Sequence, residues 1–358
     1  MATQPTIRDV AILAGVSIGT VDRVLHNRGK VSKANLKAVQ GAIEALNYRP
    51  SQIARALVTR RSNLTIGVCI PFVEREFWAE ARSGVYQAAE KLKPFGVEVA
   101  LKEVGSYDID AQLTAIRELV GQGVNAIVLT PVQGGITTQL DDIIPDDIPF
   151  ATVVEDTPQT RRLFHVGPDD YAMGKVLGRL ASLYCGEAIR CVIFAPNYIF
   201  QGTQSRIRGF CDFLKAETPE AQILEIAQMP LENEMAGYQT IFDETRQQIQ
   251  AHGDLNLVYV TNGLTQWAAA AVKTCRMQGR IDVFGFERTE MTQQYMDEDI
   301  IRATVCQRPF QQMYTAVTYM YEHLLGQRTF ETPIIPAECR ILIKESMALM
   351  RTGTAIDE

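Results

Sequence analysis

At 358 residues the chain is too long for one compact domain of ordinary size, and about 150 residues per domain predicts two or three. Its hydrophobic share of 46% and charged share of 22% are those of a globular protein with real cores. No apolar run reaches the roughly 18 residues that span a bilayer, and Met1 to Arg8 carries no charged-then-apolar leader, so a cytoplasmic protein is expected. Cysteines at 69, 185, 191, 211, 275, 306 and 339 form no CxxC, and the four histidines form no ligand-spaced cluster. Neither a disulfide framework nor a metal is expected, and no cofactor. Net charge is −7, but residues 1–61 hold ten Lys/Arg against three Asp/Glu, leaving −14 on the remainder. A basic head on an acidic body is the asymmetry expected when only the head meets phosphate.

In chain order, Thr6-Ile7-Arg8-Asp9 opens a helix, with a hydroxyl three residues before a carboxylate as in a capping box. Val10, Leu13 and Ala14 give it an apolar stripe, and Gly15 ends it. Ser17 caps a second helix from Ile18 to about His26, with Val21, Val24 and Leu25 inward. A third, about Ser32 to Leu46, places Leu36, Val39, Ile43 and Leu46 at helical spacing. Three short helices with a glycine turn between the first two predict a helix-turn-helix, whose second helix enters the major groove. Arg23 is the best candidate for direct base reading, since a guanidinium bridges guanine O6 and N7. Thr6, Ser17, Thr20, His26, Lys30 and Lys33 suit phosphate and flanking contacts. Gly15-Val16-Ser17-Ile18-Gly19 also matches the nucleophile elbow of serine hydrolases, but that chemistry needs a preceding buried strand where an amphipathic helix is expected.

The run Ile7-Arg8-Asp9-Val10-Ala11, Gly15-Val16-Ser17, Thr20-Val21-Asp22-Arg23-Val24-Leu25, Val31-Ser32 and Ala45-Leu46-Asn47-Tyr48-Arg49-Pro50 resembles the headpiece of the lactose/galactose repressor (LacI) family. The likeness is nearly continuous from Thr6 to about Gly67. At the two positions that usually read bases at the start of the recognition helix stand Ile18 and Gly19, and Asp22 replaces a common Ser, so no operator sequence carries over. Ile18 offers a contact to a thymine methyl.

Tyr48-Arg49-Pro50 breaks the third helix, and Ser51 is placed to cap a short one over Gln52–Val58. The resemblance implies that this is a hinge helix, too short to be stable alone and folded when two copies pack on DNA. It places Leu57 at the wedge that opens a base step in the minor groove, with Arg55 on phosphate.

From Leu64 onward apolar strands alternate with helices. Strands are expected at Thr65–Ile70, Val97–Lys102, Ala126–Leu129, Phe150–Val154, Arg190–Phe194, Ile223–Ala227, Leu257–Val260, Ile281–Phe286 and Ala303–Cys306, and helices at Trp78–Leu92, Asp110–Gly121, Tyr171–Tyr184 and Leu264–Met277, among others. This rhythm predicts an α/β class with doubly wound parallel sheets, divided into two lobes by its length. The pattern resembles the type 1 periplasmic-binding-protein fold, in which two lobes close on a ligand and the chain crosses between them three times. Val166-Gly167-Pro168-Asp169 and Gln307-Arg308-Pro309 read as two crossings. The expected organisation is a helix-turn-helix headpiece at 1–50, hinge and linker at 51–63, and a two-lobed sensing and dimerisation domain at 64–358.

The same resemblance implies a ligand set: Arg206, three residues before Gly209-Phe210; Asn262 at a strand end; Glu287 where an Asp is usual; the crossover Gln307; the aromatics Phe77 and Trp78; and Glu155 or Asp156 in the turn after a first-lobe strand. Hydroxyls of a sugar or polyol want donors and acceptors of these kinds, with an aromatic face under the ring C–H groups. The expected protein is a homodimeric, sugar- or polyol-responsive DNA-binding regulator, most naturally a repressor of uptake or catabolism genes, on a palindromic operator. A solute-binding component of a transporter is the alternative, disfavoured by the headpiece. A sugar-active enzyme is the third, disfavoured because nothing marks an activated nucleophile.

Overall fold

The computed structural model describes residues 5, 7–25, 31–46, 64–72, 76–105, 108–132, 136–195, 201–228 and 234–346. Thr6, His26, Lys30, Arg55 and Leu57, with the whole expected hinge, lie outside these residues.

The head has α1 (Ile7–Ala14), α2 (Ile18–Leu25) and α3 (Lys33–Ala45). Gly15 (φ 62°) closes α1 with two bonds, Val16 N–H to the Ala11 carbonyl at 3.1 Å and Gly15 N–H to that of Ile12 at 3.2 Å. Ser17 caps α2 through the Thr20 N–H at 3.1 Å, and Ser32 caps α3 through that of Asn35 at 3.2 Å. Val10, Ala11, Val21, Val39 and Ala42 form a core of their own, flanked by Ile7, Val24, Leu25, Ile43 and Leu46. Two expected core positions are corrected: Leu13 and Leu36 are exposed, and Ala11 and Ala42 take the inward places, because small side chains let three short helices approach closely. The hydrolase-like Gly15–Gly19 motif runs from the turn after α1 into the first residues of α2, with a helix rather than a strand before it, and its serine hydroxyl is used as a cap.

The body follows as β1 (Leu64–Phe72), α4 (Glu76–Leu92), β2 (Val97–Gly105), α5 (Ile109–Gly121), β3 (Ala126–Leu129), α6 (Thr137–Ile143), β4 (Phe150–Val153), β5 (Phe164–Gly167), α7 (Asp170–Cys185), β6 (Arg190–Ala195), α8 (Gln201–Glu217), β7 (Gln222–Gln228), α9 (Glu234–Ala251), β8 (Leu257–Val260), α10 (Thr265–Thr274), β9 (Asp282–Phe286), α11 (Glu290–Asp297), β10 (Ile301–Cys306), α12 (Pro309–Leu324), β11 (Ile334–Pro336) and β12 (Arg340–Leu342). Two six-stranded sheets result, ordered β11-β5-β4-β3-β1-β2 and β12-β10-β9-β8-β6-β7. All pairs are parallel except β10 with β12. Strands β3, β4 and β8 are buried throughout, as expected of parallel strands covered on both faces. In the first lobe α4 and α12 seal one face around Val68, Val85, Met313 and Val317, and the other carries Leu119, Ile127 and Phe150. In the second, α7 and α8 cover one face and α10 and α11 the other.

The chain passes between the sheets after β5, after β10 and after β11. The first two passages are the crossings expected from sequence, and the third runs through residues 337–339. Three strands escaped the sequence pattern: β5, four residues absorbed into the expected crossing, and β11 and β12, three residues each. Among the described residues no helix is long and apolar enough to cross a membrane, and no group of three His, Cys, Asp or Glu is placed to hold a metal.

Candidate functional site

The carboxyl ends of β4, β8, β9 and β10 carry the polar residues picked out above, where open α/β sheets bind ligands. Three non-glycine residues there take positive φ: Val154 (69°), Glu287 (66°) and Arg308 (56°). For a β-branched residue such as Val154 this is a strained conformation, and such strain collects where a side chain must be aimed.

Arg206 organises the site. Its Nε donates to Asp170 Oδ1 at 2.7 Å, Nη1 to the Thr261 carbonyl at 2.9 Å and Nη2 to Gln307 Oε1 at 2.8 Å. The guanidinium lies over the Phe286 ring, 4.3 Å from its centroid. Helix α8 reaches this place because it packs on α7 through glycines. A Cβ on Gly209 would stand 2.1 Å from the Tyr171 carbonyl oxygen, and one on Gly174 2.1 Å from that of Arg206. Gln307 continues the row, its Nε2 donating to Glu287 Oε1 at 2.5 Å. The Gln307 carbonyl in turn accepts from Gln312 Nε2 at 2.7 Å. Asp170, Arg206, Gln307 and Glu287 thus form one continuous chain, with Arg206, Glu287 and Gln307 buried.

Burial pushes the Glu287 carboxyl up to about 7 against the opposing hydrogen bond from Gln307 and the charge of Arg206. Glu155, half-buried on the first lobe, is also raised, by burial and then by the Asp170 charge, with Arg206 and the Gly202 N–H opposing. Gly202, at the start of α8, leaves just enough room: a Cβ there would meet Glu155 Oε1 at 3.0 Å and Asp170 Oδ2 at 2.9 Å. The turn after β4 in one lobe therefore touches the start of α8 in the other.

Asp156, next along, turns away from this row. It accepts from Arg162 through both oxygens, from the Thr152 hydroxyl at 2.8 Å and from the Thr157 N–H at 2.7 Å. Burial pushes its carboxyl up, but the Arg162 hydrogen bond and the His165 charge outweigh this and hold it low. Arg162 also donates to the Pro333 carbonyl at 3.1 Å, so the turn is tied to the entrance of β11. Asn262 is half-buried, and its Oδ1 accepts the Leu264 N–H at 3.1 Å ahead of α10. Trp78 is buried in the first-lobe core, and Phe77 is half-buried with its ring 5.1 Å from that of Trp78, edge to face. Arg206, Gln307, Glu287 and Glu155 are brought together; Asp156 and Trp78 have their principal partners elsewhere.

Two residues were missed. Asp170 follows Asp169, which caps α7 by accepting the Ala172 N–H at 2.9 Å; one cap needs one carboxylate, so the second Asp was the available signal. Glu80, on α4, acts on Glu287 through its charge, and nothing in its sequence setting separates it from a solvated helix residue.

In the head, Ser17, Ile18, Gly19 and Arg23 are exposed along α2, with Thr20 half-buried. Ile18 is 46% exposed, at the start of α2. Arg23 Nε donates to the Gly19 carbonyl at 3.0 Å, so its guanidinium lies along the helix.

Residues 6–51 match the model of bacterial regulatory proteins of the lacI family, and residues 66–328 that of the periplasmic binding protein domain. The ribose operon repressor of Halalkalibacterium halodurans is 38% identical over 125 residues, covering 35% of this chain and 36% of that one. That match thus spans little more than a third of the relative's length. The transcriptional regulator DegA of Bacillus subtilis is 26% identical over 297 residues, 79% of this chain and 82% of that protein. A solved glucose-galactose binding protein from Geobacillus stearothermophilus superposes with a TM-score of 0.70 at 24% identity, covering 79% of this chain and 99% of that one, a likeness of fold.

Proposed function

This chain belongs to the lacI family of bacterial regulatory proteins and carries a periplasmic binding protein domain behind its headpiece, and from that premise we propose that it is a cytoplasmic, sequence-specific DNA-binding regulator switched by a small sugar- or polyol-like effector. The observation that carries the proposal is the row Asp170–Arg206–Gln307–Glu287 at the junction of two lobes, in a chain whose α2 leaves Ile18, Gly19 and Arg23 exposed. It contains donors and acceptors for hydroxyls, which supports binding of a polyhydroxylated ligand. Arg206, Asn262, Glu287, Gln307 and Glu155 hold the effector, and Phe77 lies at the first-lobe wall. Asp156 positions Glu155 through Arg162. Ser17, Ile18, Gly19, Thr20 and Arg23 face DNA, joined by Thr6, His26, Lys30, Arg55 and Leu57. A homodimer reads the two halves of a palindromic operator, as a repressor of genes for uptake or breakdown of the effector. The division into a headpiece at 1–50, a hinge at 51–63 and a sensor at 64–358 is part of the same reading.

Effector binding changes the separation of the lobes, and DNA affinity follows from the difference in effector affinity between the two states. Electrophoretic mobility shifts on DNA upstream of the protein's own gene test this. Specific binding is expected in the parent and in Arg206→Ala, with effector response only in the parent. A full response in Arg206→Ala would refute the site, and absence of any preferred duplex would refute the function.

A further inference from the structure

Among the described residues the charges of the cleft do not balance. Asp170 and Arg206 are 2.7 Å apart, both largely buried, and satisfy one another. Glu155 and Glu287 take their hydrogen bonds from neutral groups, the Gly202 N–H and the Gln307 amide, and feel the same Arg206 charge only through space. Among the described residues the other nearby cations are committed or peripheral. Arg162 is bound to Asp156, and Arg288 is exposed, where its charge acts on Glu80. Glu80 adds a further negative charge toward Glu287 from the first lobe. Among the described residues three carboxylates, Asp170, half-buried Glu155 and buried Glu287, therefore share the single guanidinium of Arg206. A buried carboxylate in that position either takes a proton or is met by a positive charge. A second feature lies beside the same cluster. The Tyr259 hydroxyl is fully buried without a hydrogen-bond partner among the described residues, and is close enough to Arg206 and Asp170 for both charges to act on it.

We propose that the effector is cationic: a sugar or polyol bearing an amine, whose ammonium is received between Glu155 and Glu287 as the lobes close. The inference rests on the assignment of the cleft as the effector site. Three of the five Arg206 N–H groups are engaged among the described residues, which leaves two to offer ligand hydroxyls. An ammonium is a compact donor of three hydrogen bonds, and carboxylates are its strong, charge-assisted acceptors. A sugar phosphate or sugar acid would bring negative charge against both carboxylates and is rejected. A neutral polyol uses them as plain acceptors and gains nothing from their charge.

Thermal melts of the full-length protein against matched probes test this. Each set comprises a hexose, its 2-amino-2-deoxy counterpart and its 6-phosphate, with the same series on pentoses and an amino-inositol beside inositol. The expected result is a rise of several degrees with one amine, a smaller or absent rise with its neutral and phosphorylated counterparts, and loss of the rise in Glu155→Gln/Glu287→Gln. A neutral or phosphorylated probe that raises the melting temperature as much as its amine overturns the charge assignment. If that rise vanishes in Arg206→Ala the cleft remains the effector site, and if it persists the cleft assignment itself has failed.

A panel without any shift passes the decision to the ligand-free protein. The charged groups facing Glu155 are Asp170, Arg206 and Asp156, and those facing Glu287 are Arg206 and Glu80, with the thiols of Cys306 and Cys339 nearby. Uncompensated carboxylates make the Glu155→Gln/Glu287→Gln protein melt higher than the parent at pH 8 and level with it near pH 4. Equal melting at both pH values shows that the charges are already balanced in the empty cleft, and the proposal falls. Single Gln variants repeat the comparison should the double variant fold poorly.

Discussion

The head and the cleft handle charge in opposite ways. In the head, Arg23 and the α2 hydroxyls face solvent over a small apolar core, and their charges are hydrated at almost no cost. In the cleft, Arg206, Glu287 and Gln307 are buried, and every polar contact there bears on stability. On the proposed function the exposed groups contribute only when a large anionic partner arrives. On the same proposal the buried groups are already arranged before a small ligand comes, so that recognition would begin from a fixed geometry. Substitutions in the two regions should therefore separate cleanly, moving DNA affinity in one and stability with effector response in the other.

The largest effect is expected at Arg206. Arg206→Ala leaves Asp170 buried without its cation, and breaking a buried pair costs about 3–5 kcal/mol. Urea unfolding should show that loss, while the DNA affinity of the folded fraction stays unchanged. A large loss of operator affinity per folded molecule would erase the contrast between the regions.

Next comes pH. Glu287 is raised from 4.5 to about 7, so the folded state binds the extra proton, and the stability this confers is complete below pH 4.5 and lost as pH rises through 7. Glu287→Gln should flatten that decline and gain up to about 3 kcal/mol at pH 8, since every tenfold difference in proton affinity between the folded and unfolded chain is worth about 1.4 kcal/mol. A parent protein whose stability does not fall between pH 5 and 8 while the variant tracks it would show that Glu287 is already compensated.

Arg23→Ala in the head should leave the melting temperature in place and weaken specific DNA binding roughly 10- to 100-fold, the value of a bidentate guanine contact. Equal weakening on all duplexes would make Arg23 a phosphate contact. Smallest is Ser17→Ala, which removes the α2 cap and should cost about 1 kcal/mol of headpiece stability by denaturant titration. A change of the same size in effector response would mean that the head and the cleft are less separable than their charges imply.

The head was readable because its determinants are local. The Ser17 cap and the Gly15 stop are both settled within a few residues. Only the helix faces were misjudged, at Leu13 and Leu36, since three short helices bury fewer positions than helical periodicity offers. In the body the long buried strands declared themselves by apolar runs, whereas β11 and β12 become strands only because distant neighbours supply their partners. Arg206, Gln307 and Glu287 stood out by motif, but the sequence could not say that 101 positions of separation end in a 2.8 Å hydrogen bond. Nor could it distribute the turn Val154-Glu155-Asp156, whose two carboxylates take opposite directions once Arg162 claims one of them.

The most direct test of the whole account is fluorescence anisotropy of the full-length protein on duplexes from upstream of its own gene, titrated with salt. A preferred duplex should emerge, with log affinity falling linearly against log salt at a slope of about −0.9 per phosphate neutralised, and with the preference reduced in Arg23→Ala. Equal affinity for every duplex, or binding indifferent to salt, would contradict it.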